Sequence, residues 1–489
     1  MELAIHHGRI RGGFEQGMYA FKNIPFGAAP VGPLRFKPPI PAPKWDGVLD
    51  CTKFGPRPIQ TPPPWCVDRD IAVYAEDCLN LNVWTPGIDM KKRPVVFYIY
   101  GGGHMEGSNS ESGWDGQHLV GSRDIVMVCA NYRVGALGYL YLGKALGEGY
   151  EASGCLGLLD QILALKWVKE NIAFFGGDPD RVTIMGQSAG GKSVMSLLVS
   201  PLAKGLFHQA IAMSGALQSI KDASTSAKLT QNFLHAIGLE DKDAVQVLEK
   251  PPREIAAAQE KANETYFKAE SYGPTADGIV LPEDVESYIL AGNLPKIPIL
   301  MGHTLEELYL QPGTDQTDIG DEGVRKKLTW KFGLGGGYVF DQYKKARRTM
   351  EYAGAYGHVA TDYTYVQAFL RTASLLVEAG VPVWLYRWDF RGGTIAHHSS
   401  DNEALFQRMQ PAMRLGHEGS CDHICGVIRD AWLSFIETGS PACASLPEWT
   451  ACQQGNAARM LLNHACHLEP IALDGFDRDF PLQVMRLAL

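Results

Sequence analysis

A serine hydroxyl is a poor nucleophile at neutral pH and becomes a good one only beside a base, so the residues to weigh first are those around Ser188. Gly186-Gln187-Ser188-Ala189-Gly190 spells GxSxG, the pattern of a nucleophile at the apex of a strained strand-to-helix turn. Glycine fits at both ends because a side chain there would strike the neighbouring strand or helix as the backbone doubles back. The same stretch also satisfies GxxxxGKS, since Gly186 and Gly191 are followed by Lys192 and Ser193. In that reading backbone amides cradle phosphates, Lys192 reaches the terminal phosphates and Ser193 ligates magnesium. A nucleotide site of this kind also needs an acidic metal partner after a short apolar strand, and Arg387 interrupts the approach to Asp389. Acyl transfer needs hydrogen-bond donors for an oxyanion. The amide of Ala189, just after the nucleophile, supplies one, and a glycine-rich loop after an earlier strand supplies others; Gly102 and Gly103 in Gly101-Gly102-Gly103 are so placed.

These groups need elements to hold them. Val95–Tyr100, VVFYIY, reads as a buried strand that stops at the glycine triplet, and Ile125–Cys129 reads as another. Leu158, Ile162, Leu165 and Val168 recur at the spacing of a helix with one buried face, over 157–171, ending before Gly176-Gly177. Val182–Met185 is a short strand; after the Ser188 turn, Val194, Leu197 and Leu198 return to helical spacing. Further strands are predicted at 210–213, 297–301 and 383–388, and strands and loops over the first 65 residues, where Pro and Gly are dense. Strands alternating with helices imply a mostly parallel sheet covered on both faces, with its functional groups on loops after the strands' carboxyl ends.

With 45% apolar and 20% charged residues, the 489-residue chain has material for a large core. A net charge of −9 argues against a nucleic-acid partner, because phosphate backbones select basic faces. No run approaches the ~20 apolar residues of a membrane span, and the start, with His6, His7, Arg9 and Arg11, does not read as a signal peptide. The ten cysteines are scattered, without the density of a disulfide scaffold, so a reducing compartment is expected. The tightest group, His417, Cys421, His423 and Cys425, matches none of the usual zinc spacings and reads as a helix bearing thiols.

In these parts the chain resembles the type-B carboxylesterases, the family that includes bacterial nitrobenzyl esterases and the cholinesterases. The likeness runs through Asn23-Ile24-Pro25-Phe26, Pro30 to Phe36, Glu76 to Asn82, Tyr100 with the glycine triplet, Asn131-Tyr132-Arg133-Val134-Gly135, Gly157 to Gln161, Phe175 to Pro179 and Asp277-Gly278. The resemblance implies an α/β-hydrolase fold in one domain over 1–489, with an insertion at about 310–380 above the pocket. It also implies a triad in the order Ser, Glu, His. The segment Gly302-His303-Thr304-Leu305-Glu306-Glu307 places the acid at Glu307, with Leu308 where the family has glycine; the spacing of Ala396, His398, Asp401 and Phe406 places the base at His398 rather than His397. Arg35 with Glu76 and Arg133 with Asp160 are implied ion pairs, Asp401 a structural group, and Ser214, His104 and Gln187 pocket-wall groups.

The implied activity is hydrolysis of esters through an acyl-enzyme, without metal or cofactor, on a small-molecule ester. Gln187 stands where many family members carry glutamate, which removes a negative charge beside the nucleophile; neutral, fairly hydrophobic esters are therefore expected rather than choline esters. Pro58 occupies the position of the usual partner of Cys78, which favours a cytoplasmic, bacterial enzyme. A non-catalytic adhesive relative is the alternative within the family, but such relatives typically lose the nucleophile, and serine, glutamate and histidine are all kept here.

Overall fold

The computed structural model describes residues 1–62, 66, 71–265, 272–309, 320–478 and 480. Its centre is an 11-stranded sheet. The strands are β1 (Gly13–Glu15), β2 (Met18–Pro25), β3 (Asn80–Thr85), β4 (Arg93–Ile99), β5 (Val126–Ala130), β6 (Gly177–Gln187), β7 (Gln209–Met213), β8 (Ile299–Thr304), β9 (Val383–Trp388), β10 (Ala458–Leu462) and β11 (His467–Pro470). They lie in the order β11-β10-β9-β8-β7-β6-β4-β5-β3-β2-β1. From β5 to β10 every neighbouring pair is parallel, whereas β11 and the β3-β2-β1 edge run antiparallel. This is the α/β-hydrolase arrangement. The central strands are buried along their length, as the unbroken apolar runs of a sheet covered on both faces require.

Register brings the functional loops to one level. Met213 lies opposite both Gln187 and Gly302, and Ile99 opposite Gly186. The chain therefore leaves the carboxyl ends of β4, β6, β7 and β8 side by side. Helix α1 (Leu156–Asn171) buries Leu158, Ile162, Leu165 and Val168, as their spacing predicts. It ends at Asn171, and a 3-10 turn at Ile172–Phe175 closes on Gly176 at φ +75°. β6 is longer than the expected 182–185: a register shift between Arg93 and Val95 lets Gly177 pair with Arg93, so the turn-like Asp178-Pro179-Asp180 is drawn into the strand.

Helix α2 (Ala189–Val199) follows Ser188 and is buried throughout. The expected insertion at about 310–380 lies outside the described residues over 310–319. Beyond them come α3 (Gly320–Phe332), α4 (Gly336–Ala346), α5 (Tyr352–Thr361), a π-helical turn (Asp362–Val366) and α6 (Gln367–Glu378). α3 to α5 share an apolar cluster of their own, built on Val324, Leu328, Val339, Phe340 and Val359. Helices α7 (Ser400–Leu405) and α8 (Glu418–Thr438) pack together beyond β9. No described helix is long and apolar enough to cross a membrane.

Both implied ion pairs form. Arg35 Nε and Nη2 donate to the two Glu76 carboxylate oxygens at 2.6 Å each. Arg133 gives Asp160 a backbone and two side-chain bonds at 2.7–2.9 Å, and the Asp160 carboxylate is fully buried.

Candidate active site

Ser188 sits at φ 58°, ψ −123°, between the end of β6 and the start of α2, a conformation L-residues adopt only when their surroundings impose it. The surroundings are backbone. A Cβ on Gly186 would stand 2.4 Å from the Gly190 carbonyl carbon, and one on Gly190 would stand 2.0 Å from the Ile99 oxygen. The Ser188 amide donates to Met213 O at 2.8 Å and the Lys192 amide to Ser188 O at 2.9 Å, which commits two amides that a phosphate loop would need. Ser193 Oγ bonds His104 Nε2 and Gln161 inside the core, away from any position where it could ligate magnesium beside a nucleotide.

The base and acid arrive from the next strands. His398 Nε2 lies 2.9 Å from Ser188 Oγ, and its Nδ1 makes a short hydrogen bond with Glu307 Oε2. Glu307 Oε1 accepts from the Thr304 amide at 2.8 Å, which locks the carboxylate onto the end of β8. Burial opposes the charge on Glu307, but the facing imidazole outweighs it and holds the carboxyl below the usual glutamate range. Their neighbours point elsewhere: Glu306 pairs with Arg391 and accepts from the Ala396 amide, while His397 meets Glu403. At Leu308 the turn is held by α5, whose Thr361 hydroxyl accepts from the Leu308 amide and donates to its carbonyl.

The glycine loop after β4 runs beside the nucleophile, where a Cβ on Gly101 would lie 3.1 Å from Ser188 Cβ. Gly102, Gly103 and His104 take φ of +107°, +63° and +59°. Among the described residues the Gly102 and Gly103 amides meet no protein acceptor, and Ala189 opens a helix, where first-turn amides have no partner within the helix. These three amides are the available donors. His104 is buried against Tyr139, and burial together with the charges of Lys192 and Lys221 pushes its imidazole well below the ordinary range, so it is neutral. Ser214, at φ +50°, is buried beside Glu307. Gln187 Nε2 lies 3.2 Å from His398 Nε2. Among the described residues no group of three His, Cys, Asp or Glu could hold a metal; His423 is exposed on α8 while Cys421 and Cys425 are buried.

The profile of the carboxylesterase family matches residues 1–469. The chain belongs to the carboxylesterase family. As a carboxylesterase it is a serine hydrolase that acts on carboxylic esters through an acyl-enzyme. It is 32% identical to a para-nitrobenzyl esterase of Bacillus subtilis (strain 168) over 488 residues, 96% of each chain. It is also 32% identical to an acetylcholinesterase of Leptinotarsa decemlineata over 325 residues, 59% of this chain and 51% of that protein. Among solved structures, a Geobacillus stearothermophilus carboxylesterase superposes with a TM-score of 0.85 at 36% identity, covering 96% of this chain and 97% of that one. A p-nitrobenzyl esterase superposes at 0.82 and 31% identity, covering 96% and 97%.

Two contacts of this carboxylesterase site have no local signal in the sequence, although Asp401 itself is one of the residues whose spacing marks the histidine segment. The π-helical turn brings the Tyr365 ring to 5.3 Å from the His398 ring, and a widened turn of this kind commonly marks a functional position. Beneath the triad, Asp401 is fully buried and accepts from Tyr386 Oη at 2.7 Å. Burial pushes its carboxyl up to about 6; the Tyr386 hydroxyl opposes that shift and the Glu307 charge adds to it.

Proposed function

We propose that Ser188, His398 and Glu307 carry the hydrolysis and that the amides of Gly102, Gly103 and Ala189 form the oxyanion hole. The observation that carries this reading is the unbroken line from Ser188 Oγ through the two imidazole nitrogens to the buried Glu307 carboxylate. His398 Nε2 takes the serine proton as Oγ attacks the ester carbonyl. The three amides hold the resulting oxyanion. The alcohol leaves with the proton from His398, and water deprotonated by the same nitrogen then releases the acid. Throughout, Glu307 keeps Nδ1 protonated and balances the imidazolium charge. No step calls on a metal or nucleotide.

The substrate in this proposal is a neutral, fairly hydrophobic ester. The amide of Gln187 beside His398, in place of a carboxylate, supports that preference, since it offers no charge to a cationic alcohol group. The chain works as one domain with α3 to α6 set beside the site as its cap, a reading supported by the contact of Tyr365 with His398. A cytoplasmic location is supported by the ten cysteines, none of which is joined in a disulfide.

The test is turnover of short and medium p-nitrophenyl esters by the wild type and by Ser188→Ala, with matched circular dichroism. Turnover abolished in a folded variant is the expected result. Equal turnover in both would remove Ser188 from the mechanism, and no wild-type turnover at any chain length would remove this substrate class.

A further inference from the structure

His398 does not sit on a strand. β8 and β9 run in register as far as Thr304 and Trp388, and the Leu305 amide still donates to Trp388 O at 2.9 Å. There the two chains part. The segment 389–399, which joins β9 to α7, turns first towards β10, where the Asp389 amide donates to Leu462 O at 2.9 Å. It then crosses to Met413, whose carbonyl accepts from the Gly393 amide at 2.9 Å. At Ala396 it comes back to the segment that carries Glu307. Connecting segments are the more mobile parts of a fold, yet the catalytic line needs His398 Nε2 to stay within hydrogen-bond reach of Ser188 Oγ.

Glu306 catches the segment on its return. Its amide donates to Ala396 O at 3.0 Å, and its Oε2 accepts from the Ala396 amide at 2.8 Å. One residue thus holds both backbone polar groups of Ala396, and Glu306 and His397 pair as a single parallel bridge. The backbone bond alone would be a hinge; the carboxylate adds the second point that fixes its angle. Oε1 of the same carboxylate meets Arg391 Nη2 at 3.0 Å, near the start of the segment. These two anchors differ in weight. Arg391 has 55% of its side chain exposed, and ion pairs in water contribute little. Ala396 is fully buried, so its amide has no solvent to turn to if the carboxylate is removed.

We propose that Glu306 is a positioning residue for the hydrolysis: its carboxylate closes the 389–399 segment onto the end of β8 and so holds His398 between Glu307 and Ser188. Glu306 itself touches neither substrate nor the reacting atoms. The inference rests on His398 being the base. An imidazole misplaced by about 1 Å loses on the order of 10²-fold in rate, while the ester meets the same pocket and the same oxyanion amides. One base serves acylation and deacylation, so both steps slow together, kcat falls and KM is held.

The experiment is steady-state hydrolysis of p-nitrophenyl butyrate by the wild type, Glu306→Ala, Glu306→Gln, Arg391→Ala and His398→Ala, each folded by circular dichroism and assayed well below its own Tm. Glu306→Ala should lose about tenfold or more in kcat, with KM within about twofold of wild type. Glu306→Met, similar in size but without an acceptor, carries the same expectation and serves if the alanine variant does not fold. Glu306→Gln keeps an oxygen for the Ala396 amide and should return kcat to within about threefold of wild type. Arg391→Ala, which removes only the exposed ion pair, should stay within about twofold. A Glu306 variant without an acceptor that turns over at the wild-type rate, a glutamine variant as slow as the alanine one, or a loss carried by KM alone would each overturn the proposal. His398→Ala separates the two readings: turnover kept there removes the base itself, whereas turnover lost there but kept in Glu306→Ala removes only the role of Glu306.

Discussion

Replacing Gln187 by glutamate tests the geometry of the base directly. The variant puts a carboxylate where Gln187 Nε2 now stands, 3.2 Å from His398 Nε2. A full charge at that distance stabilises an imidazolium by about 5 kcal/mol at an effective dielectric constant of ~20, and by about 1.3 kcal/mol if solvent screens it as bulk water does. His398 has 28% of its side chain exposed, so the effect belongs between these limits, about 1.5–3 kcal/mol. At about 1.4 kcal/mol per pH unit this is a shift of roughly one to two units. The sign follows from the charge: the carboxylate favours the protonated imidazole, which cannot accept the serine proton. The acid limb of the kcat/KM profile for p-nitrophenyl butyrate in Gln187→Glu should therefore move to higher pH by that amount, while activity on the alkaline plateau is largely kept. A quaternary ammonium ester should gain relative to a neutral one of the same acyl group. A limb that moves by less than about 0.3 unit, or moves down, would refute the placement of residue 187 against the base.

Three further outcomes are expected. Gly190→Ala puts a methyl 2.0 Å from the Ile99 oxygen, with backbone on both sides, and should cost about 3 kcal/mol or more in urea unfolding; Gly205→Ala, at φ +75° in open space, should cost only about 1 kcal/mol. Asp160→Asn strips the buried Arg133 guanidinium of its charge partner and should destabilise the fold by roughly 3–5 kcal/mol, also read from urea melts. Asp401, raised from 3.8 to about 6, contributes stability that is whole below pH ~4 and is lost as pH rises through 6. The stability of Asp401→Asn relative to wild type should thus climb by about 2–3 kcal/mol between pH 4 and 7.5, and parallel pH curves for the two proteins would sink that assignment.

The sequence made the catalytic line legible wherever a local constraint had forced a residue type. Glycines at 186 and 190 mark a turn that tolerates no Cβ against Ile99 and Gly190, and the apolar runs at β4 and β6 announce strands buried on both faces. The GxxxxGKS coincidence at Lys192-Ser193 was as legible and pointed elsewhere; the lack of an acidic partner already weighed against it, and the bonded amides of Ser188 and Lys192 with the burial of Ser193 against His104 and Gln161 dispose of it. Choosing Glu307 over Glu306 and His398 over His397 depended on family spacing, because adjacent residues on a loop look alike until their partners are known. Arg391 and Glu403, which occupy the rejected pair, are visible only in three dimensions. Tyr365 against His398 and Tyr386 against Asp401 depend on how a π-helical turn and a neighbouring strand dock, and no local pattern encodes that. The length of β6 was missed for a related reason: Asp178-Pro179-Asp180 has turn composition, and pairing at Arg93 overrides it.

The shared level at which β6, β7 and β8 end also sets an order in time. Ser188 reaches its strained turn once β6 has paired with β7, yet no base is within reach until β9 joins β8, about 200 residues later in the chain. A folding intermediate that holds the first half of the sheet would thus contain a finished elbow and be unable to open a single ester. Turnover reports the docking of β9 and of the His398 segment that follows it, and during refolding it should return after the far-ultraviolet signal of the earlier strands and helices has already recovered.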